Sequence, residues 1–252
     1  MKKFVMMCFA VAGIAATALV SRAEDPSQVF ADAGKAYDAG QFAEAARKYE
    51  SILGQGQISH ELFFNLGNAL YKQGRTGDAV LQYRRAWMLA PRDPDAAANL
   101  RLAAQASNAL VPDLPLASVL FFKLSFKEWL RVALASYWIC AALIALYLFA
   151  PPRRPLLRRT IAVFSFTLAL GIAGAAQWHA MHRRPEVVVL APAQQALFAP
   201  MDNSTPHFAL PPGSVVRTIE SSGPWVKVAY GKDAGWIKST ACAAVYPWHP
   251  QG

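Results

Sequence analysis

The pattern of apolar and polar positions divides the chain into three kinds of segment. Between Pro26 and Asn108, small and apolar residues recur with a period of 34 residues, which indicates stacked helical hairpins. The segments Val132–Phe149 and Thr160–Trp178 are uncharged apolar runs of 18 and 19 residues, and each is long enough to cross a bilayer as a helix. From residue 186 to residue 246, short β-rich runs alternate with glycine and proline turns, which predicts a small all-β barrel.

The repeated unit is visible when Pro26–Gly56 is aligned with His60–Ala90. The alignment superposes six pairs of similar residues: Phe30 with Phe64, Ala33 with Gly67, Tyr37 with Tyr71, Gly40 with Gly74, Ala45 with Ala79 and Tyr49 with Tyr83. A third copy begins at Pro94 and is predicted to form a single closing helix that ends at Asn108. Because the terminal repeats of a solenoid face water, departures from the pattern, such as Asp32 in the first copy, are expected there.

The second copy resembles the tetratricopeptide repeat. With His60 counted as position 1, all eight signature positions carry the expected residue types: Phe63, Leu66, Gly67, Leu70, Ala79, Tyr83, Ala86 and Pro91. Gly67 and Ala79 let two helices approach closely, and Gly74 is expected to end the first helix. The resemblance implies an all-α domain over residues 24–109, with repeats at about 26–59 and 60–93 and a closing helix at 94–108, that holds a peptide and performs no catalysis.

In this family the inner groove is lined by fixed positions of each first helix. Here those positions carry Glu61, Phe64, Asn65, Asn68, Tyr71 and Lys72, and Asn99 repeats the position of Asn65 in the closing helix. An asparagine side chain can donate and accept hydrogen bonds toward an extended peptide backbone at once, and Lys72 can pair with a carboxylate. The alternative hypothesis is that these are solvated residues of an exposed helix face.

The last domain, residues 186–246, resembles a bacterial SH3-like domain. The residues that carry the resemblance follow the order L-x-x-G-x-x-V, G-x-W-V-K-V and D-x-G-W-I: Leu210, Gly213, Val216, Gly223, Trp225, Val228, Asp233, Gly235 and Trp236. Such domains bind cell-wall peptides or other proteins. The resemblance makes Trp225 and Trp236 candidates for an aromatic ligand face, with burial in the barrel core as the alternative.

The chain is also expected to be exported and anchored in a membrane. Residues 1–23 have the features of a secretory signal peptide, with an uncleaved anchor as the alternative. Between the two runs, residues 150–159 contain four arginines, which predicts a cytoplasmic loop: Arg153, Arg154, Arg158 and Arg159. Leader and loop agree in placing both flanking domains on the periplasmic side of a bacterial inner membrane. The aromatic and proline-containing residues 110–131 are expected to form an interfacial segment, in contact with lipid, before the first transmembrane helix at 132–149; the second is expected at 160–178.

The distribution of charge argues against a nucleic-acid partner, and the positions of the cysteines argue against an intrachain disulfide. The formal net charge is +9, but most of the excess lies in the leader and the arginine loop, so nucleic acid is not an expected partner. Cys8 lies in the leader and Cys140 in an apolar run, so no intrachain disulfide is expected. Cys242 is expected to be either a buried small hydrophobe or a redox-active thiol.

The sequence contains no motif of enzyme chemistry. It has no Walker loop, no G-x-G-x-x-G, no G-x-S-x-G, no H-E-x-x-H and no C-x-x-C. His179 and His182 are too few for a structural metal site. We therefore expect no catalytic residue, no cofactor and no metal, and we predict that the protein is not an enzyme.

The order of the segments resembles the BatE proteins of bacterial aerotolerance operons: signal peptide, tetratricopeptide repeats, two spans around a basic loop, then an SH3-like domain. The resemblance implies a non-enzymatic membrane scaffold that acts in envelope or oxidative stress tolerance. The implied partners are von Willebrand-type Bat proteins and a MoxR-type ATPase system. The alternative hypothesis is a peptidoglycan-binding or wall-sensing protein that acts through its SH3-like domain.

Overall fold

The computed structural model describes residues 25–112, 121, 123–149, 154–183 and 186–246, so the predicted signal peptide lies outside the described residues. The first part, here called the helical unit, consists of five α-helices: α1 (Pro26–Asp38), α2 (Phe42–Gly54), α3 (His60–Lys72), α4 (Thr76–Leu89) and α5 (Pro94–Ala106). Helices α1, α3 and α5 begin 34 residues apart, and so do α2 and α4. The structure therefore confirms the helical repeats that the period predicts.

The turns inside the two hairpins are built alike. Gly40 follows α1 with φ of 74° and Gly74 follows α3 with φ of 76°, which is the left-handed conformation that favours glycine after a helix. The next N–H groups reach back into the helix: Gln41 donates to Ala36 O at 2.8 Å, and Arg75 donates to Leu70 O at 3.0 Å. These bonds satisfy carbonyls that the helix end leaves unpaired, so each first helix ends where the sequence places its glycine.

Two long helices form an antiparallel hairpin between the helical unit and the last domain. Helix α6 (Phe126–Phe149) and helix α7 (Arg154–Arg183) are each long and apolar enough to cross a membrane. They pack through small residues: a Cβ on Gly171 would lie 2.9 Å from Ala133 N, and a Cβ on Gly174 would lie 2.2 Å from the Trp129 ring. The start of α6 therefore lies beside the end of α7.

Both long helices begin earlier than the apolar runs in the sequence. Ser125 and Glu128 form a capping box: the Ser125 N–H donates to Glu128 Oε2 at 2.8 Å, and the Glu128 N–H donates to Ser125 Oγ at 3.4 Å. This box starts α6 at Phe126, inside the expected interfacial segment. Helix α7 starts at Arg154, with Pro155 in its first turn, so the arginines at 154, 158 and 159 lie on a helix instead of a loop.

The last part, here called the β unit, is one seven-stranded antiparallel sheet. Its strands are β1 (Glu186–Val189), β2 (Gln194–Leu197), β3 (Pro206–Leu210), β4 (Val215–Ser222), β5 (Trp225–Tyr230), β6 (Asp233–Lys238) and β7 (Cys242–Ala244). Their order in the sheet is β3-β2-β6-β5-β4-β1-β7. The apolar cluster inside the sheet contains Val187, Val189, Ala196, Leu210, Val216, Val228 and Ile237. An all-β domain is therefore present where the short strand signals predict one.

A second apolar cluster joins the β unit to the helical unit. Val188 and Val215 on the outside of the sheet belong to the same buried cluster as Val80 and Leu81 of α4, together with Ala243 and Val245. Strand β1 is thus buried on both faces. The side chains of Val187 and Val189 lie in the apolar cluster of the β unit, and that of Val188 lies in the cluster shared with the helices. The helical unit and the β unit therefore share this second buried cluster, and no local pattern in the sequence predicts the contact.

Candidate functional site

The residues predicted to line a groove lie together on one face of α3. The opposite face of that helix is buried and carries Leu62, Phe63, Leu66, Gly67, Ala69 and Leu70. Of the predicted groove residues on α3, Phe64, Asn65, Asn68 and Tyr71 are half-buried, whereas Glu61 and Lys72 are exposed. The helix begins at a Ser59 cap, whose Oγ accepts from the Leu62 N–H at 3.1 Å.

Asn68 is the centre of the hydrogen bonds on this face. Its Oδ1 accepts from the Tyr83 hydroxyl of α4 at 2.8 Å and from Asn99 Nδ2 of α5 at 3.0 Å. Three helices therefore meet at one side-chain oxygen. The structure brings Asn68 and Asn99 together, as two predicted groove positions on neighbouring helices, and it fixes the direction in which both amides point.

Tyr83 reaches Asn68 because Gly67 has no side chain. A Cβ at Gly67 would lie 2.8 Å from Cδ1 and Cε1 of the Tyr83 ring. The same ring packs against Phe64 with a centroid separation of 6.0 Å. Burial raises the pKa of the Tyr83 phenol, with smaller contributions from nearby tyrosines, so the hydroxyl stays a hydrogen-bond donor at all physiological pH values.

The two ends of the face carry opposite charges. Glu61 lies in the first turn of α3 and Lys72 in the last. The pKa of Glu61 is lowered mainly by its own backbone N–H and by the Ser59 hydroxyl, so its carboxylate is charged at neutral pH. Between these ends, the Asn65 amide has no hydrogen-bond partner within the described part of the chain. We call the surface formed by Glu61, Phe64, Asn65, Asn68, Tyr71, Lys72 and Asn99 the amide face.

Helix α4 also carries the contact with the β unit, on a different side from Tyr83. Arg84 donates from Nε and Nη2 to Glu186 Oε2 at 2.9 and 2.7 Å, and its side chain is only 4% exposed. Arg85 Nη2 donates to Ala244 O at 2.8 Å. Burial lowers the pKa of Arg85 to about 10, so it is charged at neutral pH. Nothing local in the sequence distinguishes these two consecutive arginines from solvated residues.

Close backbone packing completes this contact, which we call the dock. A Cβ on Gly77 would lie 3.2 Å from Gly213 N, and a Cβ on Gly213 would lie 3.1 Å from Val80 Cγ2. The Val215 N–H donates to Leu110 O at 2.9 Å. Gly213 has φ of 88°, which a larger residue adopts only with strain. The dock lies on α4, whereas the amide face lies on α3 and α5, so the β unit leaves that face uncovered.

The two tryptophans of the predicted ligand face of the β unit are covered by lysines. Trp225 is 8% exposed and Trp236 is 7% exposed. Lys238 Nζ lies 5.5 Å from the ring centroid of Trp225, and Lys227 Nζ lies 5.7 Å from that of Trp236. Each lysine is the cross-strand partner of its tryptophan in the β5–β6 pairing. The rings present no open aromatic face, and they lie in a different unit from the amide face.

His60, next to the amide face, is a polar residue that the repeat pattern does not single out as a site residue. Its Nδ1 lies 3.0 Å from Ala86 O, and its Nε2 lies 2.5 Å from Asp93 Oδ2. Its ring stacks on Phe64 with a centroid separation of 6.0 Å. A signal was available, because the first residue of the repeat is proline in the other two copies, at Pro26 and Pro94.

The described residues offer little for covalent or metal chemistry. Among them, no group of three or more His, Cys, Asp and Glu side chains could hold a metal ion. Burial raises the pKa of the Cys242 thiol to about 11, which leaves it protonated and weakly nucleophilic at neutral pH. The chain matches no protein-family model and no curated protein.

Proposed function

We propose that the protein is a non-enzymatic, membrane-anchored scaffold that binds an extended segment of a partner protein on its amide face. In this proposal the helical unit is an array of tetratricopeptide repeats and the amide face is its groove. The observation that carries the proposal is the hydrogen bonding at Asn68. A half-buried network that positions polar groups outward, on a surface that the rest of the described chain leaves uncovered, is typical of a binding face.

The network leaves a donor and an acceptor for a ligand. Asn68 Oδ1 is occupied by Tyr83 and Asn99, so the Asn68 amide nitrogen is the group that faces a partner. Asn99 uses its amide nitrogen within the network, which leaves its Oδ1 to accept. An extended backbone presents N–H and C=O groups alternately, so it can bond to both amides at once. Lys72 and Glu61 at the two ends then favour a partner segment with an acidic and a basic end.

The attachment of the helical unit to the long helices supports a scaffold held at a membrane surface. Arg92, after α4, donates to Lys123 O at 2.6 Å and to Glu128 Oε1 at 3.1 Å. Trp178 of α7 donates to Leu124 O at 2.9 Å. The helical unit and the β unit are therefore joined at the same end of the α6–α7 hairpin. This fits a two-span inner-membrane protein with both units exported and the arginines at residues 153–159 in the cytoplasm.

The order of the parts, which is helical repeats, two long apolar helices and then a β domain, supports a BatE-like protein. In this proposal the partners are von Willebrand-type Bat proteins of the same membrane, working with a MoxR-type ATPase system in envelope or oxidative stress tolerance. A two-span anchor suits such a partner, because it confines the amide face to the membrane surface where the partner's exported part lies. The confinement raises the effective concentration of the two without any further contact.

The competing hypothesis assigns the activity to the β unit as an SH3-like domain that binds peptidoglycan. The lysines over Trp225 and Trp236 weigh against it, because a ligand would have to displace both side chains before it could stack on either ring. In the dock the β unit packs over α4, and this gives the β unit a structural role that needs no ligand. Wall binding is therefore the alternative outcome of the experiment below.

The test is affinity capture of the full-length protein from crosslinked membranes of its own cells. Asn65→Ala is the informative variant, because Asn65 bonds to nothing in the described chain and its loss spares the fold. Glu50→Ala, at an exposed position on α2, is the control. We expect a partner protein that wild type and Glu50→Ala retain and Asn65→Ala loses. Equal capture by all three, or co-sedimentation with purified peptidoglycan that Lys227→Ala strengthens by uncovering Trp236, would refute the proposal.

A further inference from the structure

The arginines at the start of α7 have no acidic residue near them in the sequence. No aspartate or glutamate occurs between Glu128 and Glu186, so no carboxylate side chain lies along α6 beyond its first turn or anywhere along α7. Arg154, Arg158 and Arg159 are exposed, and none of them has an ion-pair partner in the part of the chain that the structure describes. We call these three residues the arginine cluster. Their charges lie together, without neutralisation, at one end of the hairpin.

A stacking contact across the hairpin positions one member of the arginine cluster. The guanidinium carbon of Arg154 lies 5.3 Å from the ring centroid of Tyr147, near the end of α6. Such a cation–π contact orients a guanidinium without neutralising it, so its N–H groups stay available to an acceptor. Arg158 lies one helical turn further along α7, on the same face as Arg154. Packing between the two helices therefore helps to define where the positive charge is held.

An exposed apolar surface runs from the arginine cluster toward the middle of α7. Val163 and Phe166 follow Arg159 at i+4 and i+7, so they share its face of the helix. Their side chains are 60% and 69% exposed, and that of Leu156, three positions before Arg159, is 64% exposed. A positively charged end that continues into an apolar face matches the two parts of a phospholipid, which are a headgroup phosphate and an acyl chain.

We propose that this end of the hairpin is a binding site for an anionic glycerophospholipid of the cytoplasmic leaflet. The headgroup phosphate accepts hydrogen bonds from the arginine cluster, because guanidinium groups match phosphate oxygens in charge and in geometry. An acyl chain of the lipid lies along Val163 and Phe166. The inference rests on the membrane anchoring in the proposed function, but it does not rest on partner binding by the amide face.

A lipid site differs from the topological role of arginines in a cytoplasmic segment. Topology depends on how many positive charges the segment carries, and not on how each side chain is held. A lipid site depends also on the position of each guanidinium. Tyr147 carries no charge, so it contributes to a lipid site through Arg154 and contributes nothing to the count of positive charges. Tyr147→Leu therefore separates the two roles.

The test is a lipid titration of the full-length protein in a mild detergent, read by native mass spectrometry. Dioleoyl phosphatidylglycerol is the anionic probe, and dioleoyl phosphatidylethanolamine is its zwitterionic counterpart. We expect the wild type to bind the anionic lipid at least about tenfold more tightly, since each arginine near an anionic headgroup contributes about fivefold. Glycerol phosphate, which has the phosphate without an acyl chain, should not displace the lipid at an equal concentration. Displacement would assign the arginine cluster to a soluble phosphate and overturn the proposal.

Three variants locate the site. Arg158→Gln combined with Arg159→Gln should lower the affinity for phosphatidylglycerol by about 25-fold. Lys127→Gln combined with Arg131→Gln is the charge-matched control, because it removes two exposed charges at the opposite end of the hairpin, and it should bind like the wild type. Tyr147→Leu should lose about twofold to fivefold in affinity. Equal losses in the two double variants, or an unchanged affinity in Tyr147→Leu, would overturn the proposal.

Flotation of each purified protein with liposomes measures membrane insertion separately from lipid selectivity. We expect the wild type and all three variants to float, because the apolar length of α6 and α7 is hardly changed. A wild-type protein that floats but does not prefer phosphatidylglycerol would overturn the lipid site and leave the scaffold proposal standing. A wild-type protein that does not float would overturn the membrane anchoring and the lipid site together.

Discussion

At the scale of single residues, the missing side chain of Gly67 allows Tyr83 to reach the amide face. The ring of Tyr83 passes over the backbone of α3 at Gly67, and its hydroxyl then bonds to Asn68. Gly67 and Tyr83 both occupy signature positions of the repeat, so the contact between them can be predicted from the sequence. The bond between Asn68 and Asn99 cannot, because it depends on the angle at which α5 closes the array.

The first prediction concerns that close contact. Gly67→Ala places a methyl group 2.8 Å from the Tyr83 ring, inside van der Waals distance of a buried side chain. We expect a loss of about 1–3 kcal/mol in the free energy of unfolding, as in other overpacked cores. Chemical denaturation of the purified protein measures it. Gly54→Ala is the control, because a Cβ there meets nothing within 4 Å; equal stability of the two variants would contradict the packing.

The second prediction concerns the thiol of Cys242. Its pKa is raised by burial to about 11, so at pH 7 the reactive thiolate is scarce. We expect alkylation by iodoacetamide at pH 7 to be much slower than for a free cysteine, and to accelerate as the pH approaches 11. We also expect Cys242→Ser to survive oxidants like the wild type. Rapid labelling at pH 7 would restore the hypothesis of a redox-active thiol.

At the scale of elements, α4 is the helix on which the two units meet. Its buried residues lie all around the helix, with Tyr83 toward α3 and Arg84 toward β1. Such a helix has no solvent face of its own, and its pattern of apolar residues is weak. The β unit supplies the cover that a third complete repeat would otherwise provide.

The third prediction tests the ion pair of the dock. Arg84→Ala leaves Glu186 charged and largely buried, and we expect a loss of about 3 kcal/mol in the free energy of unfolding. Glu186→Ala should cost a similar amount, and the double variant should cost less than the two single losses combined. Arg47→Ala is the control: Arg47 pairs with Glu44 on the surface, so its loss should cost about 0.5 kcal/mol or less. Additive losses at Arg84 and Glu186 would show that the pair does not form.

The elements differ in how far the sequence predicts them. The repeat helices and the apolar runs are predictable because period and apolar length are local properties. Strand β2 (Gln194–Leu197) and strand β7 (Cys242–Ala244) are not, because they are short and lack β-branched residues. The dock joins residues about 100 to 160 positions apart, which no local pattern reveals. The sequence holds one local signal of the dock: the residues from Val187 to Leu190 do not alternate between apolar and polar, which is typical of a strand buried on both faces.

At the scale of the whole molecule, both units are attached to one end of the helical hairpin. Arg92 bonds to the segment before α6, and Glu186 lies shortly after α7 and bonds to α4. The helical unit is thus tied to the chain that enters the hairpin and to the chain that leaves it. In a membrane, this arrangement places both units on one side.

The fourth prediction is that both units lie on the periplasmic side of the membrane and that the arginine-rich segment lies in the cytoplasm. Single cysteines are introduced at Glu50, Gln195 and Arg158 in a chain without its native cysteines. A membrane-impermeant maleimide added to spheroplasts should label Glu50→Cys and Gln195→Cys, and it should label Arg158→Cys only after permeabilisation. Labelling of Arg158→Cys in intact spheroplasts, or opposite behaviour of the two units, would contradict the proposed orientation.

Site-specific photocrosslinking in living cells tests directly whether the amide face binds a partner protein. A photoreactive amino acid replaces Asn65 on the amide face in one strain and Glu50 on α2 in another, and adducts of the full-length protein are identified by mass spectrometry. We expect a defined adduct with another membrane protein from position 65, none from position 50, and loss of the adduct when Asn99→Ala is added. No protein adduct from position 65, with crosslinks to wall material from position 195 of the β unit instead, would contradict it.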